Sequence, residues 1–535
     1  MRGQGRATSG GAIAVVIIAA AVACSSPPDE LVVETTSGAV RGLRQDPVRA
    51  FLGIPYAAQP VGELRWRPPA PPPAWNDVRE STSVGPQCPQ SFGFSAGGGD
   101  EACLSLNIWS PSPPPAEPAP VMVWFHGGAF IFGSGGDAFY RGGELTARHD
   151  VVVVTVNYRL GPLGFLAHPG LRAEDPAHPR SGNYGIQDQI AALEWVRDNI
   201  AGFGGDPARV TVWGESAGGL SACIHYLSPR SRGLFHAVIS QSGLCSGDGA
   251  GEQQPAAAET EGVEFATMVG CPGGGADAIA CMRGQGAFDL IEASAMPAVS
   301  AQQPGGLFFQ DAGPLAWRPN IDGDVLRAPT QAGFAAGDYP PLPLLLGTNR
   351  DEGTFFVWSV IAKPARDETE YRDALGRRFG AAAVDAIAAQ YPVTAYASPS
   401  LALAAVSADA FFVCPFRTTA RLASAAGAPV FLYSFQHPPE NGLVADGGAF
   451  HASEIPFVFG VDEFPLGKVG EVGRPLSDAM MRYWTRFAAT GDPDGGGDLG
   501  WPAYDAVGDR LLVLDLPVHT DAAHRRMQCD FWDAQ

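Results

Sequence analysis

Continuous apolar runs mark the first half of the chain: VMVWF at 121–125 and VVVVTV at 151–156. A strand with apolar side chains on both faces is buried on both faces, as strands are inside a mainly parallel sheet covered by helices. Runs of the same kind recur at 210–213, 237–240, 343–347 and 430–435. Between them, residues 185–200 carry Ile186, Ile190, Leu193, Val196 and Ile200 at helical spacing, and the Ala/Gly-rich run after 213 reads as a further helix. Residues 31–33 and 38–43 read as a short hairpin, while the proline-rich stretches 65–75 and 111–120 read as surface connections. From about 250 to 340, and again from 360 to 425, the pattern turns helical and irregular. Strands alternating with helices predict an α/β fold, a central mostly parallel sheet with helices on both faces. Residues 31–535 form one domain on this reading, and the irregular stretches are insertions that cover the sheet.

The N-terminus reads differently. Arg2 and Arg6 precede an unbroken small or apolar run, 11–23, which has the length of a signal-peptide core and is short for a bilayer span. Ala21 and Ala23 fit a small-residue cleavage site just before Cys24. The tetrapeptide Ala-Val-Ala-Cys also resembles a bacterial lipobox, although its first position is Ala rather than the usual Leu. The expectation is a leader over 1–23, a lipid on Cys24 and a polar tether over 24–30, with the protein exported and held at the cell envelope; ordinary secretion is the alternative. No other uninterrupted run reaches spanning length, so the membrane is met only through that anchor.

Composition narrows the chemistry. A net charge of −21 over 535 residues argues against a nucleic-acid partner, which requires clustered Lys and Arg. The two lysines, Lys363 and Lys468, lie outside any Gly-rich GK[ST] loop, which excludes a P-loop nucleotide site. Nine cysteines leave eight once Cys24 is set aside, an even number that suits an oxidising compartment. No Cys/His cluster has metal-ligand spacing, and neither metal nor cofactor is expected.

Gly214-Glu215-Ser216-Ala217-Gly218 matches G-x-S-x-G. The bare pattern is weak, but here a short strand runs into it and a small-residue helix follows, as a strained strand–turn–helix elbow requires. A serine hydroxyl is a poor nucleophile at neutral pH and needs a base, a group to orient that base, and donors for the oxyanion. His126-Gly127-Gly128-Ala129 directly follows the run at 121–125. The N–H groups of Gly128 and Ala129, with that of Ala217, are candidate oxyanion donors. Among acids, Asp351 and Glu352 sit at a strand's C-terminal end, where sites of α/β proteins collect. His451, in a Gly-rich loop, and His437, at a strand end, both remain candidates for the base; His519 and His524 read as solvated.

The chain resembles the type-B carboxylesterases, the α/β-hydrolase group that also contains cholinesterases and the catalytically inert neuroligins. The resemblance rests on EACLSLNIW (101–109), HGGAF (126–130), NYRLGPLGF (157–165), GNYGIQDQ (182–189), FGGDPARVTVWGESAGG (203–219), DEG (351–353) and FHASEIPFVFG (450–460), in that order. It implies an α/β-hydrolase fold with helical insertions over an active-site gorge. It also implies Ser216 as nucleophile, Glu352 rather than Asp351 as acid, His451 as base, and Gly128, Ala129 and Ala217 as the oxyanion hole. Disulfides Cys88–Cys103, Cys271–Cys281 and Cys414–Cys529 are implied too, and Cys223–Cys245 in the manner of some bacterial members. The implied activity is hydrolysis of small to medium apolar carboxylic esters through an acyl-enzyme. Lipase or polyesterase action on the same triad is one alternative, and a neuroligin-like binding protein another. The span 88–103 has no tryptophan, unlike the choline-binding loop of cholinesterases. Phe355 and Phe356 are candidates to line an apolar gorge, and Gly313 and Leu315, where cholinesterases carry bulky aromatics, imply a roomier acyl pocket.

Overall fold

The computed structural model describes the chain except residues 6, 8, 9, 11–28, 92–96, 178, 248–251, 295–316, 358–362, 443–446 and 463. The expected leader core, Cys24, Gly313 and Leu315 therefore lie outside the described residues. Fourteen strands are described: β1 (Val32–Thr35), β2 (Gly38–Arg41), β3 (Leu43–Gln45), β4 (Val48–Pro55), β5 (Arg79–Glu80), β6 (Ser105–Pro111), β7 (Ala119–Phe125), β8 (Val152–Val156), β9 (Gly205–Glu215), β10 (Ala237–Gln241), β11 (Leu344–Asn349), β12 (Val430–Phe435), β13 (Arg510–Leu514) and β14 (His519–Ala522). Eleven of them make one sheet in the order β14-β13-β12-β11-β10-β9-β7-β8-β6-β4-β3, and β1, β2 and β5 make a small second sheet. From β8 to β13 the neighbours run parallel; antiparallel pairs flank this centre at both ends.

The unbroken apolar runs have a direct cause. Alternate residues of a strand point to opposite faces, and both faces of this sheet carry a core. In β7, Val121, Val123 and Phe125 enter one core while Met122 and Trp124 enter the other. The second core is rich in rings, with Trp124 edge-on to Trp213 and to Phe459 at 4.6 and 5.1 Å. The helix expected over 185–200 is Tyr184–Asn199.

Several strands are not evident from the pattern. β9 begins five residues before 210 because Gly205 pairs with Ala119. In β4, Arg49 interrupts the apolar run yet is buried. Its guanidinium donates to Ser110 Oγ and to the carbonyls of Pro111, Phe203 and Glu30, so a charge sits where periodicity expects an apolar residue. β14 is a mostly exposed polar edge strand with no hydrophobic signal.

The irregular stretches hold helices Pro255–Met268, Ala276–Arg283, Ala287–Ser294 and Thr330–Ala336, then Glu368–Phe379 and Val384–Gln390. A continuous helix follows over Pro399–Ala425. At 27 residues, with an 18-residue window of mean hydropathy 1.5, it is long and apolar enough to cross a membrane by length and composition alone, although Asp409, Arg417 and Arg421 interrupt its apolar run. Its apolar window is 72% buried within the fold, as befits a core helix. Four disulfides join Cys88 to Cys103, Cys223 to Cys245, Cys271 to Cys281 and Cys414 to Cys529.

Candidate active site

Five of the central strands each deliver one part of the site from the C-terminal end. β7 leads into His126–Ala129, β9 into Ser216, β10 into Ser242, β11 into Glu352, and the connection after β12 carries His451. Parallel strands place these ends on a common rim, so residues distant in sequence meet there.

The elbow at Ser216 is strained, with φ 55° and ψ −120°. It is held by the Ser216 N–H donating to the Gln241 carbonyl at 2.9 Å. Two glycines make the turn possible. A Cβ on Gly214 would lie 2.4 Å from the Gly218 carbonyl carbon, and one on Gly218 would lie 1.9 Å from the Phe125 carbonyl oxygen. Helix Ala217–Leu227 starts directly after the serine, so the Ala217 N–H has no carbonyl partner inside its own helix.

The loop from β7 packs against this elbow. A Cβ on Gly127 would fall 3.1 Å from Ser216 Cβ. Gly128, Ala129 and Phe130 have successive positive φ values of 104°, 51° and 61°, and the Gly128 carbonyl accepts from the Ile131 N–H at 2.9 Å. His126 braces the loop. Its ring stacks on Tyr158 at 4.4 Å, its Nδ1 lies 2.8 Å from the Gly127 carbonyl, and burial lowers its pKa to about 4. It is a neutral structural group.

Glu352 opens the helix Glu352–Val357 and is fully buried. Its Oε2 is 2.6 Å from His451 Nδ1. Its Oε1 accepts from the Asn349 N–H at 2.7 Å and the Ser242 hydroxyl at 2.5 Å. Asp351 turns elsewhere, pairing with Arg350 and accepting from the Ala449 N–H at 2.9 Å. It thereby ties down the loop that carries His451. Local geometry separates the two adjacent acids, as the resemblance implied. His437 is held by Asp515 at 3.0 Å, and His519 and His524 engage Pro517 and Asp521.

Two further carboxylates, neither expected from the sequence, complete the environment. Glu215 Oε1 lies 3.1 Å from His451 Nε2, but both atoms lack a properly aligned hydrogen bond. Nε2 is therefore not bonded to the Ser216 hydroxyl here; such contacts are commonly long before substrate arrives. Glu454 accepts from Gln241 Nε2 at 2.9 Å and Asn349 Nδ2 at 2.6 Å. Burial pushes Glu215 well above the usual carboxylate range; Glu454 and Glu352 push it further, and His451 opposes them. Glu454 is raised by burial and by Glu352. On the imidazole, burial disfavours charge, but Glu215, Glu352 and Glu454 outweigh it and raise the pKa to about 9. Sequence signals for both carboxylates existed: Glu215 is the first variable position of the motif and Glu454 follows His451 by three. Ser242 had none.

The layout of the sheet and its rim is that of an α/β-hydrolase. A solved structure of a PNB esterase superposes with a TM-score of 0.80 at 34% identity, covering 94% of this chain and all of the other. The Carboxylesterase family model matches residues 29–532, and the chain belongs to that family. It is 39% identical over 500 residues to fumonisin B1 esterase of Sphingopyxis macrogoltabida, covering 90% of this chain and 85% of that one. It is 35% identical to para-nitrobenzyl esterase of Bacillus subtilis, covering 91% and 95% respectively. The protein is a carboxylic-ester hydrolase acting on small-molecule esters.

Proposed function

We propose that this hydrolase acts through an acyl-enzyme on Ser216, with His451 as base, Glu352 as orienting acid, and the N–H groups of Gly128, Ala129 and Ala217 as oxyanion donors. The observation that carries the reading is the buried 2.6 Å contact between Glu352 and His451 Nδ1, which leaves Nε2 as the nitrogen available on the rim shared with Ser216. His451 Nε2 removes the hydroxyl proton as Oγ attacks the ester carbonyl. Glu352 holds the tautomer and stabilises the imidazolium. The oxyanion forms against the three N–H groups, each worth about 2.7–4 kcal/mol where such donors have been removed. The alcohol leaves with the proton from His451, and water repeats the cycle to release the acid.

Small to medium apolar esters are the proposed substrates. In support, the partly buried rings of Phe355 and Phe356 lie 6.1 and 4.9 Å from the imidazole. A panel of p-nitrophenyl esters of graded chain length tests the proposal. The native protein should cleave short and medium chains and Ser216→Ala none; a sharp gain above the solubility limit would instead identify a lipase, and a Ser216→Ala variant that still turned over would reject the acyl-enzyme. We also propose export with a lipid on Cys24. Cys24→Ser should move the protein from the membrane to the soluble fraction, and unchanged fractionation would reject the anchor.

A further inference from the structure

The helix Pro399–Ala425 changes form midway. Between α-helical Pro399–Ser407 and Cys414–Ala425 lies a six-residue π-helical stretch, Ala408–Val413. Its sequence cause is Pro415, which has no N–H to offer the carbonyl four residues earlier and whose ring crowds it, so the backbone widens to accommodate it. The wider turn sends neighbouring side chains in different directions. Phe411 stacks on Phe379 at 5.9 Å. Phe412 packs on His451 at 5.1 Å and stacks with Phe356 at 5.8 Å. Unlike Phe355 and Phe356, Phe412 is entirely excluded from solvent, so it presses on the imidazole from behind rather than lining an open surface.

This turn is fastened from the C-terminal end of the chain. Asp409, fully buried, receives both arms of the Arg525 guanidinium at 2.9 and 2.8 Å and the Tyr391 hydroxyl at 2.8 Å. Trp532 Nε1 donates to that same hydroxyl at 2.9 Å. One residue past the turn, Cys414 is bonded to Cys529 of the terminal helix Arg526–Asp533. A bidentate charge pair, a shared tyrosine and a covalent link thus converge on six residues whose inward ring touches His451. Among the described residues the imidazole makes one aligned hydrogen bond, to Glu352, beside the unaligned Glu215 contact, and it needs a further constraint to fix its plane.

We infer that the C-terminal segment positions the base: through Asp409 and Cys414 it holds the π-helical turn in register, and Phe412 on that turn fixes the orientation of the His451 ring. Phe412 and Arg525 are positioning residues, and the inference rests on His451 being the base. Small misplacements of a reacting group cost up to about 100-fold in rate.

The experiment measures kcat and KM for p-nitrophenyl butyrate, with thermal melts to establish that each variant is folded. Phe412→Leu should lower kcat by about 10- to 100-fold with KM almost unchanged, and Phe412→Tyr, which keeps the ring, should restore most of the loss. Asp409→Asn combined with Arg525→Leu removes the clamp without leaving a buried charge. It should lower kcat in the native background and add little in the Phe412→Leu background, because groups acting through one contact are non-additive. If that variant does not fold, Arg525→Lys, which loses the bidentate fork, is read the same way. A raised KM with intact kcat in Phe412→Leu would make the ring a substrate wall and overturn the inference; so would fully additive losses. Ser216→Ala separates the two levels: activity surviving there defeats the acyl-enzyme itself, whereas an inactive Ser216→Ala beside an unaffected Phe412→Leu defeats only the positioning role.

Discussion

A serine at φ 55° occupies a conformation that costs about 1–3 kcal/mol and persists only where its surroundings over-determine it. At Ser216 those surroundings are the Gln241 carbonyl, the glycine on either side and the loop of β7. The neighbouring acid pair shows the same dependence on detail. Glu352→Gln keeps the shape but loses the charge that holds the His451 tautomer, so kcat should fall by roughly 10⁴-fold. Asp351→Asn should leave kcat near native, and comparing the two variants on one ester checks the assignment. Glu215 matters in another way. Glu215→Gln removes the largest attraction that raises the His451 pKa, so that pKa should fall. Activity is lost as pH drops through it; the acid limb of the kcat/KM profile should therefore move to lower pH, and an unmoved limb would contradict the coupling. From sequence the serine stood out because its motif prescribes a backbone shape. Glu215, Ser242 and Glu454 did not, because their importance lies in neighbours reached through the fold.

At the scale of elements, strand and helix meet at a distance set by missing side chains. Gly218→Ala would drive a methyl to within 1.9 Å of the Phe125 carbonyl oxygen, backbone that cannot yield without parting the elbow helix from β7. Urea unfolding should show a loss of about 1–3 kcal/mol or more, with activity falling as the elbow shifts. The buried parallel strands were legible because two cores, one on each face of the sheet, leave no exposed position in β7, β8 or β12. β4 and β14 were not. A buried, fully bonded Arg49 hides the first, and the second needs only hydrogen bonds to β13, not burial. The π-helical turn was equally hidden: Pro415 marks a distortion in a helix, but the direction in which Phe412 is re-aimed depends on what the helix packs against.

For the molecule as a whole, the bridge between Cys414 and Cys529 spans 115 residues and ties the terminal helix across the back of the site. Replacing both cysteines with serine should lower unfolding stability by roughly 4–5 kcal/mol on the chain-entropy account, read from chemical denaturation under non-reducing conditions. A loss of only a few tenths would mean that the ordered clamp of Arg525, Asp409 and Trp532 already does the restraining. By itself, the sequence determined the class of fold, through apolar runs that only a sheet covered on both sides can bury, and the turn that carries Ser216, because backbone shape there is written in adjacent residues. The tertiary structure alone decided which carboxylate faces His451 Nδ1, which faces Nε2, and which ring presses on the imidazole. Those are contacts between residues up to about 240 positions apart, and the charge that each group carries is set by burial and by neighbours that no local pattern encodes.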